Sequence, residues 1–303
     1  MPQISTPTDV DDFLRGANFM SASGGGEPVH ERVQLLADLD AGRSVGWVPL
    51  DDLPPDGITF SCCYSGSIAP ESFDDPEERA RALGGGKVNE RPFIQAVRLL
   101  EDVLGVRCGG LVSIEIGGIN SGAILSAAAR ARLPLVDGDY AGRAIPELHA
   151  TAPHMHGAQV LPFACVDHFG NQVIIRSSPS NAWAERISKH LALASLGLIA
   201  CAFAALPAAR VAEIYVPGTM GECLALGRAI REAREAGSAA KAQATSPSEA
   251  SARCLEMRSA HAFEGEERMI TWLPKWSTHA KGSTGAPCMW GAVACSSGIA
   301  RPA

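Results

Sequence analysis

Six polar side chains that could carry acid–base chemistry lie within residues 115–147. They comprise four carboxylates, one amide and one guanidinium: Glu115, Asn120, Asp137, Asp139, Arg143 and Glu147. A carboxylate can act as a general base when its surroundings bring its pKa toward the working pH, and an arginine can hold a carboxylate through a bidentate contact. The alternative is that the two aspartates cap a turn or a helix and that Arg143 pairs with one of them structurally.

The elements that must position these side chains are a strand, a helix and a second strand. Residues 111–114 are largely apolar and predict a buried strand, and residues 119–131 are Ala-rich and predict a helix. Residues 133–136 predict the second strand, closed by the polar residues 137–139. A strand–helix–strand unit implies parallel pairing, and in such sheets ligands bind beyond the carboxyl ends of the strands. We therefore expect the chemistry at these two strand tips.

Two glycine runs are candidate substrate-binding loops. Gly24, Gly25 and Gly26 follow a predicted amphipathic helix over 9–20, and Gly117 and Gly118 follow the first strand. Consecutive glycines let the backbone approach a ligand closely or fold its amides into an anion-binding nest. A helix C-cap with a turn explains Gly24–Gly26 equally well.

Histidines and cysteines offer two further chemistries. His154 and His156, two residues apart on a predicted strand, would share a face and could hold a divalent metal, although exposed or hydrogen-bonded histidines are commoner. No other cofactor is predicted. Nine cysteines without a CxxC pair indicate free thiols in a reducing cytoplasm. Cys165 and Cys223 are candidate nucleophiles, but neither has a histidine partner nearby in the sequence.

Composition excludes several classes of function. The net charge is −7 with no long basic run, which argues against nucleic-acid binding. The longest apolar run, residues 191–206, is shorter than the roughly 20 residues that a bilayer requires, and it predicts a buried helix. The first residues lack the features of a secretory signal, so we expect a cytoplasmic protein without a membrane partner.

The C-terminal part has a different character. From residue 238 the sequence is linker-like, and the remainder shows neither helical nor strand periodicity. We therefore predict one α/β domain of catalytic type over residues 1–240, for which the resemblance given below implies an α/β/α arrangement. We expect residues 241–303 to be a linker and an irregular tail, truncated or frame-shifted.

Short segments carry a resemblance to a known family. They read EIGGIN at 115–120, LPLVDGD at 133–139 and GRAIPEL at 142–148, with GGGEP at 24–28, DHFGN at 167–171 and PGT at 217–219. Together they resemble the signature of the S-methyl thiohydantoin desulfurase family, whose members are often labelled hydantoinase/oxoprolinase. The likeness covers roughly residues 8–240.

The resemblance implies a fold and an activity. The expected fold is α/β, a three-layer α/β/α sandwich with a largely parallel sheet, followed in the family by a smaller β-barrel domain. No barrel strands are recognisable after residue 245, so we expect the barrel to be absent or degraded. The implied bacterial enzyme converts an S-methylated thiohydantoin to a hydantoin and methanethiol, a reaction that belongs to ergothioneine breakdown in some bacteria.

The resulting hypothesis is a hydrolase with strand-tip carboxylates as acid and base. Its catalytic residues would be Asp137, Asp139, Glu147, Glu115 and Asn120, and its small-molecule substrate would contact Arg143 and the two glycine runs. We rank Asp137 and Asp139 first as the base. Two alternatives are a subunit of a hydantoinase/oxoprolinase-type cyclic amide hydrolase and a binding module without turnover. Assembly into a homo-oligomer stays open.

Overall fold

The computed structural model describes residues 4–22, 24–66, 76–84 and 91–235. The predicted linker and irregular tail from residue 241 onward lie outside the described residues. Within the described residues, seven strands form one sheet in the order β5-β4-β6-β1-β2-β3-β7. The strands are β1 (Ile58–Gly66), β2 (Gly110–Ser113), β3 (Leu135–Asp139), β4 (Phe163–Val166), β5 (Gln172–Ile175), β6 (Leu198–Pro207) and β7 (Val216–Pro217).

Helices cover both faces of this sheet. They are α1 (Pro7–Met20), α2 (Val29–Asp40), α3 (Pro76–Ala82), α4 (Pro92–Leu104), α5 (Gly118–Ala131), α6 (Ala152–Met155), α7 (Asn181–Ala194), α8 (Ala208–Ala212) and α9 (Thr219–Glu235). Short 3-10 helices lie at Leu50–Asp52 and Leu148–Ala150. No helix in the described ranges is long and apolar enough to cross a membrane.

The buried side chains fall into two hydrophobic clusters, and successive residues of a strand belong to different clusters. In β4, Ala164 and Val166 belong to one cluster, and Phe163 and Cys165 belong to the other. The first cluster includes buried residues of α1, α2, α4, α5 and α9, and the second includes residues of α6, α7 and α8. Successive side chains of a strand point to opposite faces, so the sheet is the middle of three layers, as the family resemblance implies.

The prediction of a largely parallel sheet is wrong. β1 pairs with β2 in parallel and β2 pairs with β3 in parallel. The other four pairings among the described strands, β1–β6, β4–β6, β4–β5 and β3–β7, are antiparallel. The sheet is therefore mixed. Its strands β1, β2 and β3 run parallel to one another, and β6 and β7 pair antiparallel with β1 and β3 on the two sides of them.

One source of the wrong sheet prediction is the apolar run 191–206. It was expected to be one buried helix, but α7 ends at Ala194 and the buried strand β6 begins at Leu198. Leu196 and Gly197 between them have φ values of 61° and 115°, which end the helix. A strand buried on both faces is continuously apolar, so its sequence resembles that of a buried helix.

The central strand–helix–strand unit is confirmed. β2, α5 and β3 follow the predicted order, and the parallel register aligns Leu111 with Leu135 and Ser113 with Asp139. β3 continues to Asp139, however, so Asp137 lies within the strand rather than in a closing turn. Glu115 and Asp139 consequently lie at the same end of the sheet.

Candidate functional site

The carboxyl ends of four strands meet at one edge of the sheet. β1, β2 and β3 are parallel, and β4 runs in the same direction because both β1 and β4 pair antiparallel with β6. Tyr64 near the end of β1 stacks on His168 in the turn after β4, with ring centroids 5.7 Å apart. The sequence reasoning missed this contact, although His168 lies within the DHFGN motif that it singled out.

Glu115, which is buried, and Asn120, which is half-buried, form a hydrogen-bonded pair at the tip of β2. Asn120 Nδ2 donates to Glu115 Oε1 at 2.6 Å, and Asn120 Oδ1 accepts the N–H of Tyr64 at 2.8 Å. The N–H of Ile145 donates to Glu115 Oε2 at 2.7 Å. Burial raises the pKa of Glu115, which is only 7% exposed, while these two donors act in the opposite direction. Both ends of the Asn120 amide are engaged, so Asn120 positions Glu115 and ties it to β1.

Asp139, the last residue of β3, is fully buried at this edge, with 0% exposure. Its Oδ2 accepts the N–H groups of Ala141 and Gly142 at 3.0 and 2.7 Å. Its Oδ1 has no hydrogen-bond partner among the described residues, and neither has the Thr219 hydroxyl. Burial raises the pKa of Asp139 to about 7, and the charge of Glu115 adds to this effect. The N–H groups of Ala141 and Gly142 and the nearby Thr219 hydroxyl act in the opposite direction.

A third buried carboxylate, Glu185 on α7, was missed by the sequence reasoning. Its Oε2 accepts the N–H of Leu148 at 2.9 Å and its Oε1 pairs with Lys189 at 3.0 Å. Asp139, Glu115 and Glu185 thus each accept backbone N–H groups from one segment, residues 140–148, which we call the β3–α6 loop. An acidic residue in a predicted helix carries no sequence signal for this role, because its partner is a backbone group 37 residues away.

Asp137 has a structural partner at the start of α9. Its Oδ1 accepts the N–H groups of Met220 and Gly221, each at 3.0 Å. Burial raises the pKa of Asp137, and these two donors lower it. A carboxylate on the first amides of a helix satisfies groups that have no partner within the helix and interacts favourably with its dipole. Asp137 therefore caps α9, a role that the sequence analysis raised as the alternative for the aspartates.

Arg143 and Glu147 are the exposed charged residues of the β3–α6 loop. Glu147 lies 3.1 Å from His149 and lines a cavity of about 490 Å³ against α7. The structure therefore separates the predicted catalytic set. Glu115 and Asp139 are buried and Asn120 is half-buried at the strand tips, whereas Glu147 is exposed on the loop.

The two glycine runs contact each other directly. A Cβ on Gly25 would lie 2.3 Å from Gly117 Cα, and a Cβ on Gly118 would lie 2.1 Å from Asn18 Oδ1. The Gly25 carbonyl also accepts the N–H of Ile119 in the first turn of α5, at 3.1 Å. Close packing between two backbones explains why glycine occupies these positions, and a substrate-binding role for Gly24–Gly26, Gly117 and Gly118 stays a prediction.

The histidine pair does not share a strand face, contrary to expectation. His154 lies on α6 and His156 directly follows that helix. His154 Nδ1 is 3.4 Å from Asn181 Nδ2. In the described ranges, no group of three or more His, Cys, Asp or Glu side chains is placed to hold a metal ion.

The two candidate cysteine nucleophiles lie in the core. Cys165 and Cys223 are both 0% exposed. Burial raises the pKa of Cys223 well above its usual value, and the carboxylates Asp139, Glu222 and Asp137 raise it further. A buried thiol near carboxylates is a poor source of thiolate, so the geometry does not favour cysteine nucleophilic catalysis.

One more buried carboxyl lies near the strand tips. Glu31 on α2 is buried against Gly122 of α5. Burial raises its pKa to about 7. Its charge in turn raises the pKa of Tyr64, for which burial is the larger cause.

Comparisons with known proteins agree with this architecture. A crystal structure of a protein from Chromobacterium violaceum superposes with a TM-score of 0.60 at 22% identity, which shows a shared fold. The superposition covers 76% of this chain and 62% of that chain, so the chain spans less than two thirds of the protein it resembles. A comparison with curated proteins gave no match.

Two family models match consecutive parts of the chain. The S-Me-THD-like N-terminal domain matches residues 8–177, and the S-Me-THD-like C-terminal domain matches residues 179–272. The expected loss of the C-terminal domain is therefore not supported. That domain begins at residue 179, and its described part contains α7, β6, α8, β7 and α9. These two matches show that the chain belongs to the S-Me-THD-like family.

Proposed function

We propose that the chain is a hydrolase of the S-methyl thiohydantoin desulfurase type, converting an S-methylated thiohydantoin to a hydantoin and methanethiol. The observation that carries this proposal is Asp139, whose buried carboxyl has a pKa raised to about 7 and one oxygen without a partner among the described residues. Such a group exists in both protonation forms near neutral pH, as proton transfer in both directions requires. Membership of the family supports the reaction class.

A single carboxylate can move every proton of this reaction. The water oxygen bonds to the ring carbon while Asp139 takes a proton from the water, and the electron pair of the C=N bond moves to the ring nitrogen. Asp139 then gives this proton to the nitrogen. On collapse, the carbon–sulfur electron pair leaves with sulfur, and Asp139 carries the hydroxyl proton to the methanethiolate. Asp139 ends each cycle ionised, as it began.

The neighbouring residues prepare Asp139 for this role. The N–H groups of Ala141 and Gly142 fix its orientation, and the charge of Glu115 helps to keep its pKa high. Asn120 holds Glu115, so it acts indirectly as a positioning residue. Arg143, exposed on the β3–α6 loop, remains the proposed contact to the substrate. We no longer place Asp137 among the bases, because both described donors to its carboxylate belong to α9.

The test is methanethiol release from an S-methyl thiohydantoin by the full chain, with metal analysis of the same sample. Asp139→Asn should fold and lose at least about a hundredfold in turnover, the usual size of a general-base contribution. Asp137→Asn is the matched control, since the amide keeps an acceptor oxygen for Met220 and Gly221, and it should retain turnover. Near wild-type release by Asp139→Asn would refute the role of Asp139, and bound metal in that sample would point to metal-assisted chemistry instead.

A binding module without turnover is the second candidate. The observation in its favour is that Asp139 and Glu115, which are 0% and 7% exposed, together accept three N–H groups of the β3–α6 loop. Binding of a thiohydantoin without methanethiol release would identify this function.

A further inference from the structure

The two oxygens of Asp139 differ in the part of the chain that the structure describes. Oδ2 accepts the N–H groups of Ala141 and Gly142 at 3.0 and 2.7 Å. A carboxylate oxygen offers about two lone-pair positions, so these two donors fill those of Oδ2. Oδ1 is buried and has no hydrogen-bond partner among the described residues. A proton that Asp139 takes up is therefore carried on Oδ1.

The hydroxyl of Thr219 is a second buried polar group without a partner at this strand tip. Thr219 is 0% exposed, and its Oγ1 has no partner that meets hydrogen-bond geometry within the described ranges. The hydroxyl is nevertheless close enough to Asp139 to favour the ionised carboxylate. An unpaired buried polar group is costly, and two such groups near one another remove that cost by pairing.

Thr219 is held beside the strand tip from both sides. Asp137 accepts the N–H of the preceding residue, Gly218, on its backbone carbonyl at 2.9 Å. The carboxylate of Asp137 accepts the N–H of the following residue, Met220, at 3.0 Å. α9 also packs tightly on α1, where glycines on both helices let the two backbones touch. The start of α9 therefore keeps Thr219 close to Asp139.

A hydroxyl donor suits a carboxylate that works as a base. It occupies one of the two lone-pair positions of Oδ1 and leaves the other for a proton. A hydrogen bond to a charged group is stronger than one to a neutral group, so the donor stabilises ionised Asp139 more than the protonated form. Thr219 thus offsets part of the effect of burial. Because a threonine hydroxyl keeps its proton near neutral pH, it acts through Asp139.

We propose that Thr219 is a positioning residue for Asp139: its hydroxyl donates to Oδ1 and leaves one lone-pair position of that oxygen for the reacting proton. The inference deepens the proposed function and rests on it for the reaction, but the pairing of the two side chains can be measured without turnover. It also names Oδ1 as the oxygen that meets the attacking water.

Other ionisable side chains on the segments next to Asp139 stay in place when Thr219 is replaced. They are Glu115, Asp137, Tyr140, Arg143, Glu222 and Cys223. Burial raises the pKa of Tyr140 and of Cys223 above their usual values, so both stay neutral in the pH range used below. β7 has no ionisable side chain, and Arg130 of α5 lies in the last turn of that helix. A changed titration of Asp139 therefore reports the lost hydroxyl.

The first experiment compares Thr219→Val with the wild type in the pH dependence of kcat/KM for methanethiol release. Loss of the donor should raise the pKa of Asp139, so the ascending limb should move to higher pH by about one unit. The kcat should fall by about tenfold, less than in Asp139→Asn, while KM stays unchanged because Thr219 does not touch the substrate. Thr219→Ser keeps a hydroxyl and should restore the wild-type limb.

The second experiment needs no turnover and compares urea unfolding of the same variants at pH 5 and pH 9. Removing a donor to the ionised carboxylate costs more at high pH, where Asp139 is ionised. Thr219→Val should therefore lose stability relative to the wild type at pH 9 beyond its loss at pH 5, by about tenfold in the unfolding equilibrium constant for one pKa unit. In the Asp139→Asn background, the same substitution should cost equally at both pH values.

Thr59→Val is the matched control. Thr59 is 1% exposed, and its hydroxyl donates to the carbonyl of Leu206 at 3.0 Å near the start of β1, away from the strand tips. Its loss should lower stability by the same factor at pH 5 and pH 9 and leave the limb of kcat/KM unchanged. If Thr219→Val does not fold, Thr219→Ala also removes the hydroxyl, fits the same space and should shift the limb in the same direction.

The two measurements separate this inference from the proposed function. A cost of Thr219→Val that grows with pH, without methanethiol release from an S-methyl thiohydantoin, supports the pairing and refutes the desulfurase. Methanethiol release with an unchanged limb in Thr219→Val, or a cost of that substitution that is equal at pH 5 and pH 9, overturns the inference.

Discussion

Asp139→Asn should change how the stability of the protein depends on pH. The folded state raises the pKa of Asp139 from the usual 3.8 to about 7. A raised pKa means that the folded protein binds the proton more tightly than the unfolded chain does. The resulting stabilisation is complete below about pH 4, falls as the pH rises toward 7, and is lost above that pH.

The size of the effect follows from the shift. About three pKa units at 1.36 kcal/mol each give an upper limit near 4 kcal/mol, of which about 2.5 kcal/mol should be lost between pH 5 and pH 8. An asparagine side chain resembles the protonated acid, and its oxygen can still accept the N–H groups of Ala141 and Gly142. The variant should therefore be more stable than the wild type at pH 8, by up to about 4 kcal/mol.

The assay is urea unfolding at pH 5, 6, 7 and 8, followed by comparison of the variant with the wild type at each pH. The difference should grow in favour of Asp139→Asn as the pH rises. Glu31→Gln should behave similarly, because burial raises the pKa of Glu31 to about 7 as well. A difference between wild type and Asp139→Asn that is the same at pH 5 and pH 8 would refute the reasoning.

Three further substitutions test the packing and the polar contacts around the site. Gly25→Ala should destabilise the fold by about 1–3 kcal/mol, because the new Cβ meets Gly117 Cα at 2.3 Å, whereas Gly66→Ala, with no atom closer than 3.8 Å, should be nearly neutral in urea unfolding. Asp38→Ala should cost about 3–5 kcal/mol in the same assay, since it leaves Arg130 without its buried partner at 2.7 Å; a loss below 1 kcal/mol would contradict this. Asp137→Ala should lower the thermal midpoint through a loss of about 0.5–2 kcal/mol at the α9 cap, and Asp137→Asn should restore most of it.

The local parts of the site could be predicted from the sequence. The run of apolar residues before Glu115, the Ala-rich helix and the second apolar run gave β2, α5 and β3 nearly at their observed bounds. Parallel pairing then required Glu115 and Asp139 to share one edge of the sheet. These inferences needed only short-range periodicity and one topological rule.

The remaining parts depend on contacts between distant segments. Asp137 caps a helix 83 residues further along the chain, and Glu185 holds a loop 37 residues before it. Nothing in the residue types distinguishes these carboxylates from Asp139, because burial and partners decide their roles. The strand β6 was missed for a similar reason: its apolar run is compatible with either a helix or a strand until the sheet places it between β1 and β4.

The position of β6 has a consequence for how the chain can be divided. β6 comes from the region matched by the C-terminal family domain, yet it pairs with β1 and β4 of the N-terminal one. Among the described strands, the β4–β5 hairpin joins the sheet only through β6. A fragment that stops at residue 177 would expose the edges of both β1 and β4, and unpaired strand edges promote aggregation. The family boundary is thus no cleavage point for an independently folding fragment, and the N-terminal region acquires its complete sheet only after β6 has been synthesised.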